Sequence, residues 1–163
     1  MNLSRYITEE RIDLDLDAAF DAEHPPDHEA VVRHLATLLE RSADIVNASK
    51  LLTDLANREK RAPSFPGHGV AMPHVRTLQA RKLVLAVAVS RAGLPLPTPD
   101  GEPVHLLLAL VGPPYDDKAY LNVYRALGER LEQPGWIDAV LQARAPGEVV
   151  RALSMPAVRG AGS

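Results

Sequence analysis

The sequence predicts a single α/β domain in which helices flank a central β-sheet. A chain of 163 residues with 46% hydrophobic and 24% charged residues has the size and composition of one domain with its own core. Two apolar runs, Leu83 to Val89 and Leu106 to Val111, are typical of strands buried on both faces. Amphipathic helix patterns stand before and after them, and no repeat or compositional break divides the chain.

The first sixty residues are predicted to hold a short strand and two helices. Alternating apolar and charged residues from Ile12 to Leu16 indicate a strand or extended segment. Asp27, after two prolines, is placed to cap a helix, and Asn47 to cap a second one that must end before Pro63. The apolar stripe of the first helix comprises Val31, Val32, Leu35, Leu38 and Leu39, and that of the second comprises Leu51, Leu52 and Leu55.

The rest of the chain is predicted to supply the main strands and three more helices. After the loop PSFPGHG and the extended stretch VAMPHV, the segments KLVLAVAVS and PVHLLLALVG read as buried strands. Between them GLPLPTPDGEP, with four prolines, is predicted to be an irregular surface connection. Asp116 or Asp117 is placed to cap a helix that ends at Pro134, and two shorter helices follow, at Trp136 and Pro146. The helix that ends at Pro134 is predicted to have an apolar face made of Leu121, Tyr124, Leu127 and Leu131.

Charge and composition narrow the classes of function. The balance of 18 Lys+Arg against 21 Asp+Glu gives a net charge of -3, which argues against nucleic acid as a partner. No cysteine is present, so a disulfide framework, a thiolate nucleophile and a Cys-ligated metal are excluded. No apolar run reaches the roughly 18 residues that a membrane span needs, and the N-terminus lacks an apolar signal core. We therefore expect a cytoplasmic domain over residues 1–156, with a flexible tail over residues 157–163.

Four of the six histidines are predicted to have no direct role in chemistry. His24, His28 and His34 lie in polar surroundings and are expected at the surface. His105 begins a buried strand, where it is expected to be a core or rim histidine that could still neighbour the site.

His68 and His74 differ because both lie in GHGVAMPH. Gly67 and Gly69 permit positive φ around His68, and Pro73 fixes the backbone just before His74. A metal site is the obvious rival, but zinc needs three or four ligands and no carboxylate stands at a short helical spacing from either histidine. We predict no metal and no cofactor. Spacing alone favours a structural and a functional histidine about equally.

The stretch REKRAPSFPGHGVAMPH resembles the signature of the type-2 enzyme IIA domain of the bacterial phosphoenolpyruvate-dependent phosphotransferase system, the mannitol, fructose and nitrogen-regulatory family. Arg58, Glu59 and His74 stand in the register of that signature. The resemblance extends through ITEERIDLDL, LVLAVAVS, PVHLLLALVGP and APGEVVRAL, in the order of the family.

The resemblance implies a mixed central sheet and a phosphotransferase that works through a phosphohistidine. Such a domain accepts a phosphoryl group from the histidine-containing phosphocarrier protein and passes it to an enzyme IIB domain in sugar uptake. Its contact with the membrane is only indirect, through an enzyme IIC partner. By this resemblance His74 is the nucleophile and Arg58 stabilises the phosphoryl oxygens, whereas Gly67, His68 and Gly69 form the loop that contacts phosphate or partner.

One position departs from the family and leaves the function open. Where many relatives carry a second histidine, this chain has Tyr120, which can donate a hydrogen bond to phosphate but gains no positive charge near pH 7. His105 is the residue that could compensate. Two alternatives to sugar uptake therefore stay open: a nitrogen-regulatory protein whose phosphorylation state controls partner binding, and a degenerate domain that acts as a non-catalytic interaction module.

Overall fold

The computed structural model describes residues 1–155 of the chain, so the predicted tail over residues 157–163 lies outside the described residues. Within that range the strands form one sheet. They are β1 (Ile12–Asp13), β2 (Val70–Ala71), β3 (His74–Arg76), β4 (Val84–Leu94) and β5 (Val104–Gly112). The helices are α1 (His28–Leu39), α2 (Ala48–Arg61), α3 (Asp117–Glu132), α4 (Trp136–Leu141) and α5 (Pro146–Ser154). Short 3-10 helices cover Leu3–Tyr6, Glu9–Arg11 and Leu16–Ala19.

The sheet is mixed, as the resemblance implies. Its order is β1-β4-β5-β2, with β3 also paired to β5. β4 and β5 are antiparallel, whereas β1 runs parallel to β4, and β2 and β3 run parallel to β5. β2 and β3 keep one register, because Val70 faces Leu106 and His74 faces Leu110. They are two halves of one edge strand, interrupted at Pro73, which has no N–H to donate to a ladder.

Side-chain alternation along β4 and β5 gives the domain a core on each face of the sheet. One face packs against α1 and α2, and the other packs against α3, α4 and α5. Leu85 and Val87 point to the second layer, whereas Ala86 and Ala88 point to the first. Two covered faces explain why the buried positions of both strands are apolar. Ser90 on β4 is the exception, and its hydroxyl donates to the Asp17 carboxylate. None of the helices in residues 1–155 is long and apolar enough to cross a membrane.

The predicted helix starts are confirmed by their caps. The Asp27 carboxylate accepts the Ala30 N–H at 2.8 Å, and the Asn47 side chain accepts the Lys50 N–H at 3.0 Å. Of the two candidates for α3, Asp116 is the cap, since its side chain accepts from the Ala119 backbone.

Several sequence expectations need correction. The N-terminal strand is only two residues long, and 3-10 turns occupy its flanks. The proline-rich connection begins later than predicted, because β4 continues to Leu94, which pairs with Val104 beyond a register shift after Val89. The positive φ of Gly93 (86°) lets the strand make this irregular step.

Two histidines expected at the surface are partly buried and paired. His34 Nε2 lies 2.8 Å from Asp13 Oδ2, and His28 Nε2 lies 3.3 Å from Glu59 Oε2. The sequence hides both contacts because each acidic partner comes from another element of the fold.

The apolar face of α3 was also predicted incompletely. Leu127 and Leu131 are buried as expected, but Leu121 and Tyr124 are exposed, and Tyr120 and Val123 are buried in their place. The helix carries more apolar positions than one face can bury, and the surplus lines the cleft described below.

Candidate functional site

His74 is the first residue of β3, where its ring is held by the backbone that precedes it. His74 Nδ1 lies 2.8 Å from the carbonyl oxygen of Met72 and 3.3 Å from Ser64 Oγ. A carbonyl oxygen can only accept, so Nδ1 carries the ring proton and donates it to Met72. The other ring nitrogen, Nε2, is therefore left with its lone pair, which is the state a nucleophilic imidazole needs.

The ring lines a cleft of about 370 Å³ between the end of α2, the edge strand and the start of α3. Its walls are strongly basic. The lining residues are Arg58, Arg61, His74, Val75, Arg76, Tyr120, Leu121 and Tyr124. Three arginines that line the same cleft as an imidazole suit an anion with several oxygens, because each guanidinium offers forked N–H donors at every physiological pH.

Arg58, which the resemblance assigns to phosphoryl stabilisation, lies in the last turn of α2. Its Nη1 donates to the carbonyl oxygen of Ala62 at 2.8 Å, so it also satisfies the C-terminal end of the helix. That contact fixes the side chain at the mouth of the cleft.

The surroundings of His74 favour its neutral form. Burial lowers the pKa of His74 below its ordinary value of 6.5, and the positive charge of Arg58 acts in the same direction. The hydrogen bond to the Met72 carbonyl and the charge of Glu59 oppose this shift without reversing it.

Two tyrosines of α3 flank the imidazole. The centroid of the Tyr124 ring lies 4.9 Å from that of His74, and the centroid of the Tyr120 ring lies 6.4 Å from it. Tyr120 is only 5% exposed, and burial raises the pKa of its hydroxyl, so it is a neutral group at every physiological pH. Tyr120 was expected at the site, whereas Tyr124 was expected in the core; Arg61 and Arg76 were not singled out at all.

The glycine-rich segment forms a tight turn on the approach to His74. The Val70 N–H donates to the Gly67 carbonyl at 3.1 Å, and the two central residues, His68 and Gly69, have φ values of 57° and 72°. Positive φ at both central positions is the mark of a type I′ turn, and histidine is one of the few non-glycine residues that adopt it readily.

The turn does not bring every predicted residue to the cleft. His68 is exposed and lines a different surface hollow, beside the end of α3. His105 Nδ1 lies 2.9 Å from the Ser90 carbonyl oxygen, and its strand position is five residues from Leu110, the residue that faces His74. That is roughly 16 Å along β5, so the structure gives His105 no place beside the imidazole.

Glu59 connects the cleft to the α1–α2 layer. It is 2% exposed, and its Oε2 accepts the Ser64 N–H at 3.3 Å, while the Ser64 carbonyl accepts the Met72 N–H at 2.8 Å. Behind it lies a larger cavity of about 440 Å³ that contains His28 and Glu59 but not His74. The chemistry of the smaller, basic cleft makes it the candidate site. Among residues 1–155, no group of three or more His, Asp or Glu side chains is arranged to hold a metal ion.

The chain is similar in sequence to components of the phosphotransferase system. The fructose-specific EIIABC component of the phosphotransferase system of Bacillus subtilis is 20% identical over 150 residues, which make up 92% of this chain and 22% of that protein. This chain thus spans less than a quarter of that relative's length.

Solved structures share the fold. The nitrogen regulatory protein IIA-Ntr of Neisseria meningitidis matches with a TM-score of 0.79 at 23% identity, over 92% of this chain and 97% of that one. Enzyme IIA-mannitol of Escherichia coli, in a complex with phosphorylated enzyme IIB-mannitol, matches with a TM-score of 0.69 at 17% identity, over 88% and 94% of the two chains.

The sequence also matches the family described as the phosphoenolpyruvate-dependent sugar phosphotransferase system, EIIA 2, over residues 6–155. That range includes the whole sheet, the cleft and every helix from α1 to α5. A match that covers this much of the chain leaves one conclusion: the chain belongs to the EIIA 2 family of the phosphotransferase system.

Proposed function

We propose that the protein is a phosphocarrier that receives a phosphoryl group on Nε2 of His74 from the histidine-containing phosphocarrier protein and passes it to an enzyme IIB domain. The observation that carries this proposal is the hydrogen bond from Nδ1 to the Met72 carbonyl, which leaves Nε2 unprotonated in a cleft with three arginines. Membership of the EIIA 2 family and the fold shared with a IIA protein complexed with IIB support it.

The transfer needs no net movement of protons within this domain. The N–P bond of the donor phosphohistidine breaks as the bond between His74 Nε2 and phosphorus forms, and each imidazole keeps the proton on its other nitrogen. Onward transfer reverses the roles, with Nε2 as the leaving group. Catalysis then depends on positioning and on stabilising charge on the moving phosphoryl oxygens.

The other residues at the site have supporting roles in this proposal. Arg58 binds the phosphoryl oxygens, and Tyr120 and Tyr124 pack against the imidazole ring from α3. Gly67, His68 and Gly69 form the turn that leads to the nucleophile, with His68 exposed where a partner protein can contact it.

Labelling tests the proposal directly. Incubation with phosphoenolpyruvate, enzyme I and the carrier protein is expected to give one acid-labile phosphoryl group per chain, mapped to His74 and lost in His74→Ala. His105→Ala is the matched control, because its imidazole is also partly buried but lies outside the cleft. Absence of label in the wild type, or full labelling of His74→Ala, would overturn the proposal.

The acceptor separates the alternatives. Discharge of the phosphorylated protein by IIB domains of the fructose or mannitol type supports a role in sugar uptake. A label that no IIB domain removes, together with partner binding that changes on phosphorylation, supports the nitrogen-regulatory alternative. A wild type that never becomes labelled supports the non-catalytic interaction module.

A further inference from the structure

We propose that Arg76 is a second phosphoryl-binding cation, which Asp117 holds while His74 is unmodified and which moves to the phosphoryl group once His74 carries one. The inference rests on the proposed function, since it concerns the state of the cleft after transfer to His74.

Strand geometry places Arg76 beside the nucleophile. His74 and Arg76 are the first and last residues of β3. Side chains two residues apart in a strand point to the same side, and their Cα atoms are separated by about 6.6 Å. A flexible arginine side chain spans that distance, and Arg76 lines the same cleft as His74 and Arg58.

In the unmodified protein Arg76 is held only by weak interactions. Its Nη1 donates to Asp117 Oδ1, and the side chains of Arg76 and Asp117 are 43% and 64% exposed. Exposed pairs of this kind shift equilibria by about fivefold at most, so the contact is easily exchanged. The guanidinium carbon lies 5.5 Å from the centre of the Tyr120 ring, which is within cation–π range. Because that ring also contacts His74, it forms a surface along which the guanidinium can move towards the imidazole.

The larger negative charge of a phosphoryl group favours movement of Arg76 from the Asp117 carboxylate to that group. A phosphoryl group on Nε2 brings up to two negative charges and three oxygens into the cleft, whereas Asp117 offers one charge at its rim. Tyr120 is buried and neutral, so it supplies no cation of its own. Arg58 and Arg61 both lie on α2, so the positive charge beside Tyr120 comes from the strand, two residues after the nucleophile, rather than from α3.

The ionisation of the phosphoryl group itself tests the exchange. The protein is phosphorylated either through the carrier protein or chemically with phosphoramidate, and the phosphoryl group on His74 is titrated by ³¹P NMR. A nearby cation lowers the pKa of both ionisable parts of the phosphohistidine, the phosphoryl oxygens and the ring, so the sign of the shift is the same whichever of them the ³¹P signal follows. We expect the titration midpoint to rise by about half a pH unit or more in Arg76→Gln and to return towards the wild-type value in Arg76→Lys.

Asp117→Asn provides the opposite test. Freed from its carboxylate, Arg76 is expected to lower the midpoint of the phosphoryl titration, and this effect is expected to vanish in the double variant Arg76→Gln/Asp117→Asn. Arg33→Gln is the control, since Arg33 forms a comparable exposed pair with Glu29 on α1, away from the cleft. Thermal unfolding of each variant establishes that the fold is retained.

The outcomes distinguish the two proposals. Midpoints in Arg76→Gln and Asp117→Asn that equal the wild-type value would overturn the exchange, even if His74 is phosphorylated normally. Failure of the carrier protein to label His74 would overturn the proposed function, while the protein labelled with phosphoramidate would still decide the role of Arg76. If neither route labels His74, both proposals fall.

Discussion

At the level of single residues, the state of His74 is determined by a close neighbour in the sequence, Met72, and by burial and Arg58, which only the fold brings to the ring. The carbonyl of Met72 fixes the tautomer, and burial together with Arg58 favours the neutral ring. A histidine with a free pKa near 6.5 would be half protonated just below neutrality, and its Nε2 lone pair would be lost in that fraction. Lowering the pKa keeps the nucleophile available across that range.

The first prediction concerns pH. Because the pKa of His74 is lowered in the folded state, we expect the rate of phosphotransfer to His74 to fall to half its neutral-pH value at a pH below 6.5. The same shift makes the unfolded chain bind more protons below pH 6.5, so the part of the stability due to His74 is lost as the pH falls through the folded-state value. NMR titration of the His74 ring measures its pKa, and a midpoint at or above 6.5 would contradict this prediction.

The second prediction concerns Arg58. Removing its guanidinium in Arg58→Ala is expected to slow phosphotransfer by about 10² to 10³, the range for the loss of one preorganised donor. The free energy of unfolding is expected to fall by only about 1 kcal/mol, because one hydrogen bond at a helix end is lost. Arg58→Lys is the variant to compare with it, since lysine keeps the positive charge but lacks the paired N–H donors of the guanidinium group. If Arg58→Ala transferred phosphate as fast as the wild type, the role of Arg58 would be only structural, through its hydrogen bond to Ala62.

At the level of elements, the turn before β2 does more than lead the chain to His74. The Gly69 carbonyl accepts the N–H groups of His105 and Leu106 at 2.8 and 3.1 Å, which ties the start of the edge strand to β5. A Cβ on Gly69 would lie 3.1 Å from the Pro103 carbonyl oxygen. The glycine is therefore needed both for its positive φ and for the close approach of a neighbouring strand.

The third prediction separates those two requirements. Gly69→Ala is expected to reduce the free energy of unfolding by about 1–3 kcal/mol and to slow labelling of His74, because β2 and β3 shift together. Gly101→Ala is the matched control: its φ of 74° is nearly the same as the 72° of Gly69, but a Cβ there would have no neighbour within 4 Å. Equal losses in chemical denaturation would show that only backbone strain matters.

The helices show how much of the structure could be predicted. The starts of α1 and α2 were predictable because a cap is a local signal, read from Asp27 and Asn47 alone. The face of α3 was not, because Tyr120 and Tyr124 both lie on apolar stripes and only the packing of the helix on the sheet decides which is buried. The same limit concealed Arg76, whose place in the cleft depends on how the edge strand pairs with β5.

At the level of the whole molecule, the chain buries two separate apolar layers, and the cleft lies at the sheet edge rather than within either layer. The 3-10 helix Leu3–Tyr6 contributes to the layer that contains α5, so the first and last described elements close the same side of the domain. Much of the stability is therefore supplied by parts of the chain that do not line the cleft, such as Leu3–Tyr6 and α5.

The fourth prediction follows from this separation. Leu3 is fully buried, so Leu3→Ala is expected to cost about 2–5 kcal/mol in urea unfolding while leaving the labelling rate of the folded protein unchanged. Leu78, which is 72% exposed, is the control, and Leu78→Ala is expected to change stability by no more than about 0.5 kcal/mol. A labelling rate that falls in proportion to stability in Leu3→Ala would show that the two are coupled.

The break at Pro73 has a consequence for how partners meet the protein. β2 and β3 form one edge of the sheet. An unbroken edge strand offers free N–H and C=O groups with which an extended chain of another protein can pair. Here the edge strand is divided into β2 and β3 by Pro73, and the Met72 carbonyl already accepts a hydrogen bond from the His74 ring. At this edge of the sheet a visiting protein therefore finds only short stretches of free backbone, so we expect it to recognise this side of the domain through side chains rather than by adding a strand.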